Sequence, residues 1–157
     1  MSDKPRILVT RKFPDAVMTR LNQSYDLIDN PTDAPWTADE ILANSATVRA
    51  ILCGPTNLFD ADLLGKLPKQ IGLITTFSVG YDHLDVKAAQ QNDILIGNTP
   101  DVLTDATADI ALLCMLGAAR RAYSSAQTLR QGKWGQWSPT ELLGVHMSGK
   151  QLGIFGM

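Results

Sequence analysis

Short apolar runs alternate with segments of mixed polarity along the first hundred residues of the chain. The runs are rich in Val, Ile and Leu, which is typical of strands buried on both faces of a parallel sheet. The segments between them are predicted helices, and one opens with a capping box formed by Thr37 and Glu40. The pattern predicts strands at 7–10, 25–29, 50–53, 71–77 and 94–97, with helices between them.

This alternation of strand and helix predicts the class of the fold. An order of this kind is typical of α/β proteins, in which the strands are parallel and the connections right-handed. We therefore expect a flavodoxin-like, doubly wound parallel sheet over residues 1–100. Ligands of such sheets usually bind beyond the carboxyl ends of the strands, so a binding site is expected in the loops at those ends.

The loop Ser78-Val79-Gly80 is the best candidate for a binding site. It follows the apolar run 71–77 and precedes a short helix for which Asp85 is a good N-cap. The amide groups of Val79 and Gly80 could both point into a crevice at the end of the sheet, and Gly80 has no Cβ to keep a ligand away. A small carboxylate would suit them. The alternative is that these three residues form only a turn.

The pattern changes after Pro100, where the chain leaves the predicted sheet. From Thr104 to about Gln131 the sequence has a single long helical pattern, with Thr104 or Asp105 available as its cap and Gly132 at its end. At 1.5 Å per residue such a helix would be about 40 Å long, which exceeds one face of a small sheet. We expect it to bridge two domains or two subunits; the alternative is an ordinary surface helix.

The last run, 151–157, begins like a buried strand and reaches a glycine at Gly156. A terminal strand without a following crossover would leave apolar surface uncovered. This indicates a truncated chain, a fragment or a C-terminal half supplied elsewhere, with residues 101–157 as the start of a truncated domain.

Composition and charge narrow the class of protein. The sequence is 45% hydrophobic and 19% charged, which is typical of a globular protein, and its net charge of −2 gives no basic footprint for nucleic acid or an anionic membrane. Cys53 and Cys114 each lie in an apolar run without metal-ligand spacing, so we interpret both as buried thiols and expect no metal site. No leader or membrane span is recognisable, and we expect a cytoplasmic protein.

Three further stretches of the sequence are distinctive: TFSVGYDHLD at 76–85, NTPDVLTDATAD at 98–109 and GKQLGIFG at 149–156. In their order and spacing these stretches resemble the D-isomer-specific 2-hydroxyacid dehydrogenases. Within that family the chain is most similar to the glyoxylate and hydroxypyruvate reductases, because WGQWSP at 134–139 falls where those enzymes have a tryptophan-containing loop. The resemblance covers essentially the whole chain.

The resemblance implies a two-domain oxidoreductase that transfers a hydride from NADH or NADPH to glyoxylate or hydroxypyruvate. Residues 1–100 would form the substrate-side domain, and the helix from Thr104 would open the NAD(P)-binding Rossmann domain. The first strand of that domain would run from Leu152 to Phe155. The choice between NAD and NADP stays open.

The same resemblance implies roles for individual residues. The backbone of Ser78, Val79 and Gly80 would hold the carboxylate of a small 2-keto or 2-hydroxy acid. Thr104 would line the nicotinamide side of the cofactor site, and Gly156 would be the first glycine of the dinucleotide loop. Trp137 would reach into the active site of a partner subunit, which implies a homodimer.

The sequence also lacks parts of the family's machinery. The arginine that clamps the keto acid, and the histidine with its carboxylate partner that moves the proton, have no counterpart within 157 residues. His83 and His146 are the only histidines, and neither is expected to be the catalytic acid. We expect no catalytic residue in this chain and no turnover by it alone.

Two other interpretations of the sequence remain open. One is a non-catalytic, flavodoxin-like binding or dimerisation module. The other is a different member of the same family, such as a phosphoglycerate or formate dehydrogenase, although the loop from Trp134 to Trp137 weighs against it.

Overall fold

A computed structural model describes residues 4–155 of the chain. These residues divide into two compact units, the first ending at Val102 and the second beginning at Leu103. The assignment of the two parts as substrate side and coenzyme side stays a prediction.

The first unit is built around a parallel sheet, which confirms the predicted fold class. In the part of the chain described, the sheet has five strands in the order β2-β1-β3-β4-β5. The predicted runs form these strands, and no end differs from the prediction by more than two residues: β1 (Arg6–Val9), β2 (Asp26–Asp29), β3 (Ala50–Cys53), β4 (Leu73–Thr76) and β5 (Leu95–Gly97).

The two helices of this unit for which the sequence predicts a cap begin at that cap. Thr37 and Glu40 form the predicted capping box, and the side chains of Asp60 and Asp85 accept hydrogen bonds from amides in the first turns of their helices. The helices are α1 (Asp15–Ser24), α2 (Ala38–Asn44), α3 (Ala61–Lys66) and α4 (Val86–Gln91).

Alternate residues of the central strands supply the two cores of the unit. Leu8, Ile51 and Ile74 belong to a large cluster with residues of α2, α3 and α4, whereas Ile7 and Val9 pack with residues of α1. Burial on both faces explains why the strands are almost continuously apolar. The sheet is therefore a rigid support for the loops at its carboxyl edge.

Two helices, α5 (Thr104–Ala119) and α6 (Ala122–Arg130), are found in the described part of the second unit, so the prediction of one continuous helix is wrong. The chain breaks at Arg121, which has a left-handed φ of 55°. A later segment occupies the end of α5, because the amide of Val145 donates to Ala119 O over 2.7 Å. The sequence around Arg120 gives no warning, since the residues there are ordinary helix formers.

Of the two predicted ends of the helix, the structure confirms the C-terminal one but not the predicted N-terminal caps. Neither Thr104 nor Asp105 caps α5; Leu103 occupies the N-cap position and makes no side-chain hydrogen bond there. The predicted end at Gly132 is confirmed. Gly132 has a φ of 65°, its amide donates to Leu129 O, and the next amide, that of Lys133, donates to Thr128 O. These two bonds form a Schellman motif.

The predicted strand at 152–155 is also absent, because no other strand of the described chain pairs with it. Gly156 lies outside the described residues.

Cys53 is buried as predicted, but Cys114 is exposed, since no residue of α5 is buried. Among residues 4–155, no helix is both long and apolar enough to cross a bilayer.

Candidate functional site

The predicted binding loop lies at the carboxyl edge of the sheet, between β4 and α4. Ser78, Val79 and Gly80 follow the end of β4 at Thr76, and the cleft beside them has a volume of about 410 Å³. The cleft is lined by Pro55, Ser78, Gly80, Asp82 and His83. The structure therefore places Ser78 and Gly80 on the wall of an open cleft, and Val79 lies between them in the loop without lining the cleft.

Each carbonyl group of this loop is fixed by a hydrogen bond. Ser78 O accepts from the amide of Thr99 over 3.0 Å, and Val79 O accepts from Asn98 Nδ2 over 2.8 Å. Gly80 O accepts from the hydroxyl of Ser78 over 2.7 Å. Asn98 and Thr99 follow β5 directly, so the next strand of the sheet fixes the direction of the loop's peptide groups.

The amide groups of the same peptides are left free. In a trans peptide the N–H points away from the C=O, so the bond to Ser78 O directs the Val79 N–H away from Thr99. The bond to Val79 O likewise directs the Gly80 N–H away from Asn98. Neither amide has an acceptor among residues 4–155. Two fixed, unpaired donors on adjacent residues suit a carboxylate.

A chain of side chains supports the loop from below. Thr76 is buried, with 2% of the residue exposed. Its hydroxyl oxygen lies 2.7 Å from Ser78 Oγ and 2.9 Å from His83 Nε2. His83 is tied to the fold through its carbonyl oxygen, which accepts from the amide of Phe59 over 2.8 Å. Burial lowers the pKa of His83, partly offset by the carboxylate of Asp82. This arrangement gives His83 a structural role.

Gly80 leaves space at the mouth of the cleft. A Cβ built on it would meet only Asp82 Oδ2, at 3.9 Å, and its φ is not in the left-handed region. The backbone therefore does not require a glycine at this position. The lack of a side chain on Gly80 instead keeps the space above its amide group open.

The other predicted site residues lie in the described part of the second unit or outside the described residues. Thr104 is the exposed first residue of α5, and its hydroxyl has no partner within 4–155. Trp137 is 82% exposed and lines a small cleft of about 120 Å³ with Trp134 and Leu142. Gly156 falls outside the described part of the chain. The roles of these three residues stay predictions.

Sequence reasoning missed the residues that fix the loop. Asn98 directly follows a predicted strand, at the edge where the loop lies, and that position was the available signal. Thr76 and His83 stood out in the sequence only as members of the motif at 76–85, without any sign that their side chains support the loop. Within residues 4–155, no group of three or more His, Cys, Asp or Glu side chains is placed to hold a metal ion.

Comparison with known proteins identifies the family. Residues 7–142 match the profile of the D-isomer specific 2-hydroxyacid dehydrogenase catalytic domain. The chain belongs to this family. The predicted resemblance is thereby confirmed, and the cleft beside Ser78, Val79 and Gly80 is a cleft of a 2-hydroxyacid dehydrogenase domain.

Relatives with assigned activities align with nearly the whole of this sequence. The chain is 38% identical over 153 residues to a glycerate dehydrogenase from Hyphomicrobium methylovorum and 35% identical over 155 residues to a glyoxylate reductase from Korarchaeum cryptofilum. Each alignment includes 98% of this chain but only 48% and 46% of the relative. The chain thus spans about half the length of these dehydrogenases.

Solved structures show the same fold. A structure from Polaromonas sp. JS6 66, assigned to the NAD-binding D-isomer specific 2-hydroxyacid dehydrogenases, matches with a TM-score of 0.87 and 38% identity over 98% of this chain and 48% of its own. An NADPH-dependent glyoxylate/hydroxypyruvate reductase from Sinorhizobium meliloti, in complex with NADP and malonate, matches with a TM-score of 0.70 and 31% identity. That match covers 84% of this chain and 40% of the reductase.

Proposed function

We propose that this chain is the N-terminal part of an NAD(P)H-dependent oxidoreductase that reduces glyoxylate or hydroxypyruvate. The observation behind the proposal is the pair of fixed, unpaired amides at Val79 and Gly80, which suits the carboxylate of a small keto acid. The names of the relatives support the substrate class, since they are glyoxylate reductases and a glycerate dehydrogenase. The bound malonate of the Sinorhizobium enzyme is likewise a small carboxylate.

The residues of this chain would bind and orient the substrate. Two N–H donors on one carboxylate fix the position of the acid and hence the face of the adjacent keto carbon. When bound, the nicotinamide supplies the hydride for that carbon. The exposed hydroxyl of Thr104, free of any partner in the described chain, fits the proposed contact on the nicotinamide side. The choice of NAD or NADP stays undecided.

The remaining catalytic groups are proposed to lie outside these 157 residues. None of the side chains that line the cleft is an arginine that could bind the substrate as the family's arginine is expected to. The ring of His83 is already hydrogen-bonded to Thr76. We therefore propose that the chain alone does not turn over substrate. The proton for the keto oxygen would come from an acid supplied elsewhere.

The proposed assembly is a homodimer that uses α5. From residue 110 to its end at Ala119 this helix has only apolar residues, and its larger side chains are exposed, among them Ile110, Leu112, Leu113 and Leu116. A helix of this composition is normally buried, so a second copy is a suitable cover. The exposed Trp137 would then be available to a partner's active site. The cytoplasmic location predicted from the sequence stays a prediction.

An activity assay tests the proposed function. The product of the complete gene is mixed with glyoxylate or hydroxypyruvate and with NADH or NADPH, and oxidation of the cofactor is followed. We expect oxidation with at least one pair of substrate and cofactor, and none with the 157-residue chain alone. No oxidation of either cofactor by the complete gene product would contradict the proposal, and would favour a non-catalytic module or another substrate in the family.

A further inference from the structure

A second cleft adjoins the carboxylate loop at the same edge of the sheet. This distal cleft has a volume of about 270 Å³ and is lined by Arg11, Lys12, Phe13, Pro55, Thr56 and Phe77, among others. Pro55 lines both clefts, and Phe77 directly precedes Ser78. Its walls follow β1, β3 and β4. The strand order reverses between β1 and β3, and such switch points are where doubly wound sheets bind ligands.

Arg11 is held in a defined position in the distal cleft. Its Nε donates to Asp33 Oδ1 over 3.0 Å, and its Nη1 donates to the hydroxyl of Thr56. Asp33 Oδ1 also accepts from the amide of Lys12 over 2.8 Å. The stem of the arginine crosses Gly54, where a Cβ would lie 3.4 Å from Arg11 Cγ. The side chain is only 24% exposed, so its head has little freedom to move.

The guanidinium keeps donors to spare. It has five N–H groups, of which one is used on Asp33 and one on Thr56. The other three have no acceptor within residues 4–155. The rings of Phe13 and Phe77, 5.2 Å apart between centroids, supply apolar walls beside this cation. A fixed cation with free donors in an apolar cleft suits a small anionic or hydroxyl group.

We propose that Arg11 determines specificity for the far end of the substrate, an inference that rests on the proposed function. The carboxylate lies on the Val79 and Gly80 amides, the substrate extends past Pro55, and an oxygen on its third carbon or beyond accepts from the guanidinium. The favoured substrates are 2-keto acids with a distal hydroxyl or carboxylate group. Glyoxylate has no distal group and cannot make this contact.

The two substrate types provide an internal comparison. In the complete gene product, kcat/KM is measured for hydroxypyruvate and for glyoxylate in the wild type and in Arg11→Gln. We expect the ratio of hydroxypyruvate to glyoxylate to fall at least about tenfold, because one charged hydrogen bond is lost for one substrate only. Arg11→Lys keeps the charge but loses the planar fork, so its ratio should lie between the two.

Controls separate this contact from a structural role. Arg6→Gln removes another arginine–aspartate pair, that with Asp26, at the opposite end of β1, and it should leave the ratio unchanged. An equal loss for both substrates in Arg11→Gln, or an unchanged ratio, would overturn the inference. If Arg11→Gln does not fold, an unchanged ratio in Arg11→Lys overturns it. A wild type that reduces neither acid refutes the proposed function instead.

Discussion

The direction of two amide groups depends on two residues that do not line the cleft, Asn98 and Thr99. Asn98 and Thr99 hold the carbonyls of Val79 and Ser78, and the planarity of the peptide group transmits that constraint to the N–H on the other side. The site is therefore a property of the main chain, and the identity of the side chain at Val79 has little influence on it. A substitution at the glycine is the informative one.

Gly80→Val is expected to fold normally and to lose substrate affinity. The added side chain starts in open space, where the nearest atom is 3.9 Å from its Cβ, but it lies beside the amide that the carboxylate needs. We expect KM for glyoxylate in the complete gene product to rise at least about tenfold. Gly72→Val is the control, since a Cβ there has no atom within 4 Å and no site nearby. Normal KM in Gly80→Val would contradict the carboxylate assignment.

His83 should make the stability of the fold depend on pH. Because burial lowers its pKa from the ordinary 6.5, the unfolded chain binds more protons than the folded chain below about pH 6.5. The contribution of the neutral ring is thus present above that pH and is lost as the pH falls through the lowered pKa. Denaturant unfolding at about pH 8 and about pH 5 measures the difference.

The variant His83→Gln should reduce this pH dependence. It keeps an amide donor for Thr76 but cannot take up a proton. The control is His146→Gln, which removes an exposed histidine and should retain the wild-type difference. If the free energy of unfolding fell by the same amount between the two pH values in His83→Gln as in the wild type, the structural role inferred for His83 would be refuted.

At the scale of elements, local signals predicted the first unit well and the second unit poorly. Apolar runs, the capping box at Thr37 and the cap at Asp85 are short-range features, and each appears in the structure where the sequence indicates. The break at Arg121 depends on a segment more than twenty residues later, which periodicity does not register. The same applies to the loop, whose support comes from Asn98, directly after another strand, β5.

Gly144 is predicted to be essential for the end of α5. A Cβ on this residue would lie 2.5 Å from Ala119 O and 3.0 Å from the Cα of Arg120, and both are backbone atoms with little freedom to shift. Gly144→Ala should therefore lower the free energy of unfolding by about 1–3 kcal/mol. Gly135→Ala is the control, because no atom lies within 4 Å of its Cβ, and it should change stability by less than about 0.5 kcal/mol. Equal stability of the two variants in denaturant unfolding would show that the contact at Ala119 does not matter.

At the scale of the whole molecule, this chain supplies a cleft that is proposed to bind substrate, and an apolar helix that lacks a cover within the described residues. It spans about half the length of the curated relatives it matches, so the complete activity is proposed to be a property of a longer protein. Exposed leucines on α5 are the most direct means of testing the proposed homodimer.

Leu113→Glu should convert the dimer to a monomer. The side chain is 64% exposed on α5, and a carboxylate there would have to be desolvated in a helix-to-helix interface. Leu58→Glu is a matched control, since Leu58 is 63% exposed but lies in the first unit. Light scattering on the complete gene products should give a dimer mass for the wild type and Leu58→Glu, and a monomer mass for Leu113→Glu. A monomeric wild type would refute the assembly.

The pair of free amides at Val79 and Gly80 is tested most directly by a crystal structure with a bound inert substrate analogue. Oxalate resembles glyoxylate and has no keto group to reduce, so it can be soaked into crystals of the complete gene product. We predict one carboxylate of oxalate within hydrogen-bond distance of the two amide nitrogens, with the bonds from Asn98 and Thr99 to the loop retained. Oxalate bound elsewhere, with both amides facing only solvent, would contradict the proposed carboxylate site.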